Sequence, residues 1–259
     1  MDGEICIVTG AGSGIGRAAA LNLAGAGAMP VLVGRTTGKL EAVAAEIAAQ
    51  GRSSDVEQAD VTDYEAMRRL AASVLKKHGQ IDVIINNAGF TSRNRYLLDT
   101  TDQEAEDVVR VNLLGPFFLI QAALPSMLKR DTGTIVNVSS RAGLDPVLLG
   151  GAMYSASKAA IINLTKYMNV ELKNTGIRAC NVIPGETDTP VLKTRLVPPA
   201  PDQLTKILQP EDVADAILLA VTSPKRVLIE EVIVKPRFQR DVSAEVPDPI
   251  PADLMPPSG

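Results

Sequence analysis

The chain has 259 residues, enough for one large α/β unit with a full buried core. Its 46% hydrophobic and 22% charged residues are those of a globular domain, and a net charge of −4 argues against nucleic acid as a main partner. No apolar run approaches the roughly 20 residues needed to cross a bilayer, and Cys6 and Cys180 both fall in apolar runs, which predicts reduced core thiols in a cytoplasmic protein with no membrane partner.

The N-terminus enters a strand pattern almost at once, at residues 5–8, which leaves no room for a signal or transit peptide. Thr9-Gly-Ala-Gly-Ser-Gly-Ile-Gly16 follows and opens a helical pattern over 15–26. Glycine lets the backbone turn tightly and approach a pyrophosphate, and the first N–H groups of the helix then face the phosphate oxygens. A glycine-rich string alone is weak evidence; strand, turn and helix in that order read as a dinucleotide cradle. The next strand, 31–34, ends Val33-Gly-Arg-Thr36. About 20 residues past the glycines, dinucleotide folds place an acidic residue on the adenosine ribose. Glycine fills that slot here and Arg35 follows, placed for a 2′-phosphate, so NADP(H) is favoured over NAD(H); the alternative is an arginine stacked on adenine in an NAD protein. Asp60-Val61, after a weaker strand at 55–58, is expected to border the adenine.

Helical patterns at 39–50, 64–77, 103–129, 154–174 and 210–221 alternate with further strands at 83–86, 134–138, 178–183 and 231–234. The alternation predicts an α/β fold, a single doubly wound Rossmann-type parallel sheet of about seven strands with helices on both faces, as one domain over 1–237. His78, the only histidine, reads as a helix-end cation. No His/Cys/Asp cluster suggests a metal. Residues 238–259 read as a proline-rich C-terminal tail, with five prolines from Pro247 onward, either extended and loose or laid on a neighbouring subunit.

Tyr154-Ser-Ala-Ser-Lys158 carries the chemistry. A tyrosine four residues ahead of a lysine shares its helix face, one turn apart. A phenol titrates at about 10 and is a poor proton shuttle at neutral pH unless a cation lowers that value, and Lys158 is placed to supply the charge. With the glycine cradle upstream, the combination reads as hydride transfer to or from a carbonyl, Tyr154 handling the proton.

In these motifs the chain resembles the short-chain dehydrogenase/reductase family, in its compact dehydrogenase branch, from Ile5 to about Arg237. The family's T-G-x-x-x-G-I-G matches Thr9 to Gly16, its N-N-A-G matches Asn86-Asn-Ala-Gly89, and its P-G-x-x-x-T matches Pro184-Gly-Glu-Thr-Asp-Thr189. The resemblance implies a catalytic set of Asn112, Ser140, Tyr154 and Lys158, with Tyr154 as general acid in reduction and base in oxidation. It implies cofactor contacts from Gly10, Ser13, Gly14, Ile15, Gly16, Arg35, Asp60, Val61, Asn87, Ala88, Gly89, Tyr154, Lys158, Pro184, Gly185, Thr187 and Thr189. Ser140, Arg141 and Tyr154 would meet the substrate, a small carbonyl or alcohol. Other readings of the same scaffold are a silent nucleotide-sensing protein and an isomerase or dehydratase.

Two departures from the family pattern bear on the site. Ser140 precedes Tyr154 by 14 residues where 13 is common, so either the loop 144–153 bulges by one residue or the serine assignment is open; Ser139 lies still farther away, which favours Ser140. Arg141 stands where an apolar residue is common, and would bind an acidic or phosphorylated substrate or form a surface salt bridge. Residues 190–209 read as a short substrate lid. The helices at 103–129 and 154–174 show apolar residues on more than one face, including Phe117, Phe118, Ile161, Ile162 and Leu164, which predicts a homo-oligomer, a tetramer or a dimer.

Overall fold

The computed structural model describes residues 1–195, 197–246, 250–251 and 254. Seven strands form one sheet: β1 (Ile5–Thr9), β2 (Met29–Gly34), β3 (Asp55–Gln58), β4 (Val83–Asn86), β5 (Gly133–Val138), β6 (Ile177–Pro184) and β7 (Glu231–Val234). Their order is β3-β2-β1-β4-β5-β6-β7, and all six pairings are parallel. The sequence shows why: β1, β4 and β5 are buried along their whole length, as strands covered on both faces must be.

Helices α1 (Gly14–Gly25), α2 (Thr37–Ala49) and α7 (Pro210–Thr222) cover one face, through Leu23, Leu40, Ile47 and Ile217. On the other lie α3 (Tyr64–His78), α5 (Gly115–Arg130) and α6 (Ala152–Glu171), through Met67, Leu119, Met127 and Met168. The chain leaves β1 toward β2 on one side and returns to β4 on the other. A crevice therefore opens beyond the carboxyl ends of β1 and β4, where such folds take their ligands.

The helix expected at 103–129 is more complex. It runs unbroken over Asp102–Arg130, but α4 (Asp102–Val109) and α5 are joined by a π-helical turn at Arg110–Leu114. Pro116 has no N–H to give the carbonyl four residues back, and the Gly115 amide instead reaches Arg110 O, one residue farther than an α-helix allows. Gly115 also lets the helix pass Val61, whose Cβ would stand 3.0 Å from an added methyl.

This helix corrects the expectation about apolar runs: an 18-residue window within it has a mean hydropathy of 1.5, as apolar as a membrane span. Its inner side packs on the sheet, with Leu119, Ala123 and Met127 fully buried, but only 39% of that window is buried. The expected surplus on its outer face is also redistributed. Ile161 and Ile162 are both buried, and Phe118 and Leu164 pack on the core; Phe117 is exposed as expected, joined by Leu128, Tyr167 and Val170.

Most of the proline-rich stretch from Pro247 lies outside the described residues. The chain just before it packs on the domain. Arg240 ion-pairs with Glu186 and Glu245, and Arg195 pairs with the same two carboxylates at 2.5 and 3.3 Å, all four side chains at most 17% exposed. This cluster ties the end of β6, the lid and the C-terminal segment together.

Candidate active site

A cavity of about 1110 Å³ occupies the crevice. Gly10, Ser13, Gly14 and Ile15 form its floor. Gly10 and Gly14 take positive φ, 66° and 51°, which L side chains rarely adopt. Ser13 makes no side-chain cap on α1, so the first amides of that helix face the cavity without a protein partner from their cap. Gly16, expected to touch cofactor, does not line the cavity: a Cβ there would fall 2.3 Å from Gly10 O, so this glycine lets α1 close on the turn.

Thr9 binds this turn to the end of β4. Its hydroxyl accepts from the Asn87 and Ala88 amides, each at 3.0 Å, while Asn87 Nδ2 donates to Thr9 O at 3.0 Å. At the end of β2, Gly34, Arg35, Thr36 and Lys39 line the wall beside Asp60 and Val61. Asp60 Oδ1 accepts from the amide and hydroxyl of Thr62, both at 2.9 Å, so it shapes the loop as much as it faces the cavity.

At the opposite end stand Ser140, Tyr154 and Lys158. The tight packing of α6 places them: a Cβ on Gly143 would lie 2.5 Å from the Lys158 carbonyl carbon, so only glycine lets the short 3-10 turn Arg141–Gly143 seat on the helix. Ser139 donates to Lys158 O at 2.9 Å and is buried, whereas the Ser140 hydroxyl accepts from Ala142 N at 3.2 Å and lines the cavity with Tyr154. The Ser139 hydroxyl is thus committed to the α6 backbone, which favours Ser140, and Gly151, in the loop before Tyr154, adopts φ 85°.

Lys158 is 4% exposed; its Nζ donates to Val138 O at 2.9 Å and lies 5.7 Å from the Tyr154 ring centroid. Burial lowers its pKa to about 8. Burial also pushes the Tyr154 phenol up, against the pull of the neighbouring Ser140 hydroxyl and of Arg95 and Arg195. Two arginines thus draw the phenol down, besides Lys158 at 5.7 Å from its ring.

Asn112 is buried inside the π-turn. It accepts from Phe90 N at 2.8 Å and donates to Phe90 O at 2.8 Å and to Ser157 Oγ at 3.0 Å; Ser157 in turn donates to Tyr154 O. It therefore braces the loop after β4 against the helix that carries Tyr154. Asn112 Oδ1 and Lys158 Nζ each stand 3.7 Å from a Cβ built on Gly89, so the two flank one point of the chain.

Gly185 is held by its amide to Val234 O at 2.7 Å, and Thr187 donates to Gly185 O at 3.1 Å; both line the wall with Pro184 and Thr189. Arg141 lines it too, paired with Asp145 at 2.6 Å.

The residue that sequence reasoning missed is Arg95. It lines the cavity from the loop after β4, its Nη1 donating to Leu149 O at 2.6 Å. The basic run Ser92-Arg-Asn-Arg95 just past Asn86-Asn-Ala-Gly89 was the available signal. Among the described residues the cavity wall carries eight cationic and three acidic side chains, in a chain whose net charge is −4. Among them, too, no group of three or more His, Cys, Asp or Glu could hold a metal.

The cradle fits a dinucleotide: glycines where a Cβ would crowd the floor, open helix amides, and a cationic far end.

Comparison with known proteins agrees. The family model described as short chain dehydrogenase matches residues 4–197. An uncharacterized oxidoreductase of Staphylococcus aureus is 37% identical over 233 residues, covering 90% of this chain and 97% of the relative. A metagenomic short-chain oxidoreductase solved with NADP superposes with a TM-score of 0.80 at 34% identity, over 92% of this chain and 99% of that one. An alcohol dehydrogenase of the archaeon Thermococcus sibiricus, solved with 5-hydroxy-NADP, gives 0.82 at 27% identity, over 93% and 99%. A serine dehydrogenase of Escherichia coli gives 0.78 at 27%, over 92% and 100%. The ordered motifs, the sheet they sit on and these relatives make the chain a member of the short-chain dehydrogenase family of oxidoreductases.

Proposed function

We propose that the protein interconverts a secondary alcohol and a ketone or aldehyde with NADP(H), Tyr154 serving as general acid and base. The observation that carries this reading is that Ser140, Tyr154 and Lys158 stand together at one end of a cavity whose floor is the glycine turn. The nicotinamide, when bound, donates or accepts the hydride. Tyr154 gives the proton to the carbonyl oxygen in reduction and takes it in oxidation. Ser140 holds the same oxygen, and Lys158 places its ammonium beneath the site. Asn112 keeps Tyr154 in register through Ser157.

NADP(H) is preferred to NAD(H) because Arg35 and Lys39 stand at the adenosine end and Gly34 leaves no carboxylate there to repel a 2′-phosphate. The solved relatives with NADP and 5-hydroxy-NADP support this choice. The exposed apolar faces of α5 and α6 support a homo-oligomer, and the buried free cysteines a reducing, cytoplasmic setting.

The test is a panel of secondary alcohols and ketones, followed at the nicotinamide absorbance with each cofactor. Turnover with NADP above NAD supports the reading. Cofactor binding without turnover of any panel member would instead mark a nucleotide sensor. Gly34→Asp with Arg35→Ala should move the preference toward NAD; the new Cβ meets only the movable Leu40 Cδ2, at 3.3 Å.

A further inference from the structure

Two segments bring apolar side chains to the cavity that holds Tyr154. The first is the loop 147–150. Gly150 N donates to Val147 O at 2.9 Å, and Gly151 N is shared between Val147 O at 3.3 Å and Leu148 O at 3.2 Å. Thr91 Oγ1 donates to Gly150 O at 3.4 Å, and Arg95 Nη1 to Leu149 O at 2.6 Å. This tight turn fixes Val147, Leu148 and Leu149 to the start of α6, the helix that carries Tyr154, and all three line the cavity. The second is the segment past β7, from which Phe238, Val242 and Val246 line the same cavity. The ion pairs of Arg240 with Glu186 and Glu245 hold that segment in place.

The arginines of this wall are engaged. Arg141 pairs with Asp145, Arg195 and Arg240 pair with Glu186 and Glu245, and Arg95 donates to the carbonyls of Ser92 and Leu149. The apolar side chains remain open to solvent: Val147 is 50%, Leu148 49% and Phe238 66% exposed. Large apolar side chains left in water along a cavity mark a ligand site, because a ligand that covers them gains the burial that the fold forgoes. They share one cavity with Ser140 and Tyr154, so the ligand that covers them is the one that reacts there.

We infer that the substrate carries an apolar chain or ring of several carbons, seated against Val147, Leu148 and Phe238, while its carbonyl or hydroxyl faces Tyr154 and Ser140. The inference rests on the proposed oxidoreductase reading for its chemistry and narrows the substrate from any small carbonyl to an apolar one. The chain takes no part in the reaction and leaves unchanged.

The test is a series of methyl ketones from 2-butanone to 2-octanone, reduced with NADPH. Burying one methylene corresponds to a gain of about three- to fourfold, so kcat/KM should rise about 100-fold across the series. The similarly long 7-oxooctanoate should fall at least tenfold below 2-octanone, because its carboxylate must give up water on an apolar wall. Leu148→Asn and Phe238→Ser change exposed side chains, and each should lower the ratio of 2-octanone to 2-butanone at least fivefold, chiefly through KM. A flat series, 7-oxooctanoate preferred over 2-octanone, or a ratio unmoved in both variants would overturn the inference; turnover of a flat series would leave the oxidoreductase reading standing.

Calorimetric titration of the NADP-loaded protein with octanamide and butanamide, neither of which is reduced, gives a readout free of turnover. Octanamide should bind at least tenfold more tightly, and Leu148→Asn should erase most of that difference. This result supports the apolar site even if no ketone is reduced, in which case the oxidoreductase reading alone fails. Octanamide bound no more tightly than butanamide would mean that another part of the protein covers these side chains, and would overturn the inference.

Discussion

Burial pushes the two ionisable groups of the Tyr154–Lys158 pair in opposite directions and toward the same neutral state. The phenol is raised and the ammonium lowered to about 8. Tyr154→Phe keeps the ring and removes only the transferable proton, so turnover should fall by about 10²–10⁴-fold with cofactor affinity little changed, measured by steady-state kinetics and fluorescence titration. Lys158 illustrates a stability cost placed at a site. The distance between about 8 and the ordinary 10.5 corresponds to about 3 kcal/mol. That penalty is fully present below pH 8, where the folded side chain is charged, and is relieved as pH rises from 8 toward 10.5. Lys158→Met should therefore melt higher than wild type at pH 7 by the equivalent of about 1–3 kcal/mol, the lost bond to Val138 O offsetting part of the gain, while activity is lost. The gap should narrow by pH 10 in thermal melts. That Ser140, Tyr154 and Lys158 would meet at one cavity was legible, because Tyr154 and Lys158 share a helix face one turn apart and Ser140 follows a neighbouring strand. The cations acting on the phenol were not, since Arg95 and Arg195 reach Tyr154 only through the folded chain.

Among the elements, strands and most helices followed from the alternation of apolar runs with helical periods, and even the weak strand at 55–58 lies at its expected place as β3. The π-turn did not follow, because a 3.6-residue apolar period reads smoothly across one inserted residue; only Gly115-Pro116 hinted at it. That turn puts Asn112 in reach of Phe90 and Ser157 at once. The turn at Arg141–Gly143 and α6 form a similarly strict contact. Gly143→Ala would drive a methyl to 2.5 Å from Lys158 C and 2.7 Å from its oxygen, both backbone atoms. The helix must shift to admit it, so we expect a loss of about 1–3 kcal/mol in thermal unfolding together with a lower kcat. At the C-terminus of α3, Asp55 tests the same kind of contact by pH. Burial raises its carboxyl, but hydrogen bonds from Lys77 at 2.7 Å and His78 at 2.6 Å outweigh it and hold the carboxyl below its usual range. Stability from this depressed group is present above the ordinary carboxylate range and lost as pH falls through its folded value. Asp55→Asn should accordingly flatten the acid limb of the stability curve followed by circular dichroism.

The whole molecule is bound at its far end by Arg240, which answers Glu186 from 54 residues away. Sequence reading could not pair these charges, and placed the domain boundary just before them. A chain ending at Arg237 would leave Arg195 and Glu186 without Arg240 and Glu245. Breaking a buried set of this kind costs about 3–5 kcal/mol, so the truncated protein should melt well below the full chain; equal melting temperatures would show the cluster to be dispensable. The exposed Phe117, Leu128, Tyr167 and Val170 predict a mass above that of a 27.3 kDa monomer in light scattering at micromolar concentration. An acidic exterior around a cationic cavity also sets how ligands arrive. A phosphate-bearing dinucleotide diffusing toward the molecule is repelled weakly at long range and drawn in only near the mouth, within about one screening length, roughly 8 Å at physiological ionic strength. Added salt weakens the outer repulsion and the inner attraction together. Encounter should then slow less steeply with ionic strength than for a uniformly basic protein, a difference that stopped-flow mixing with NADPH would resolve.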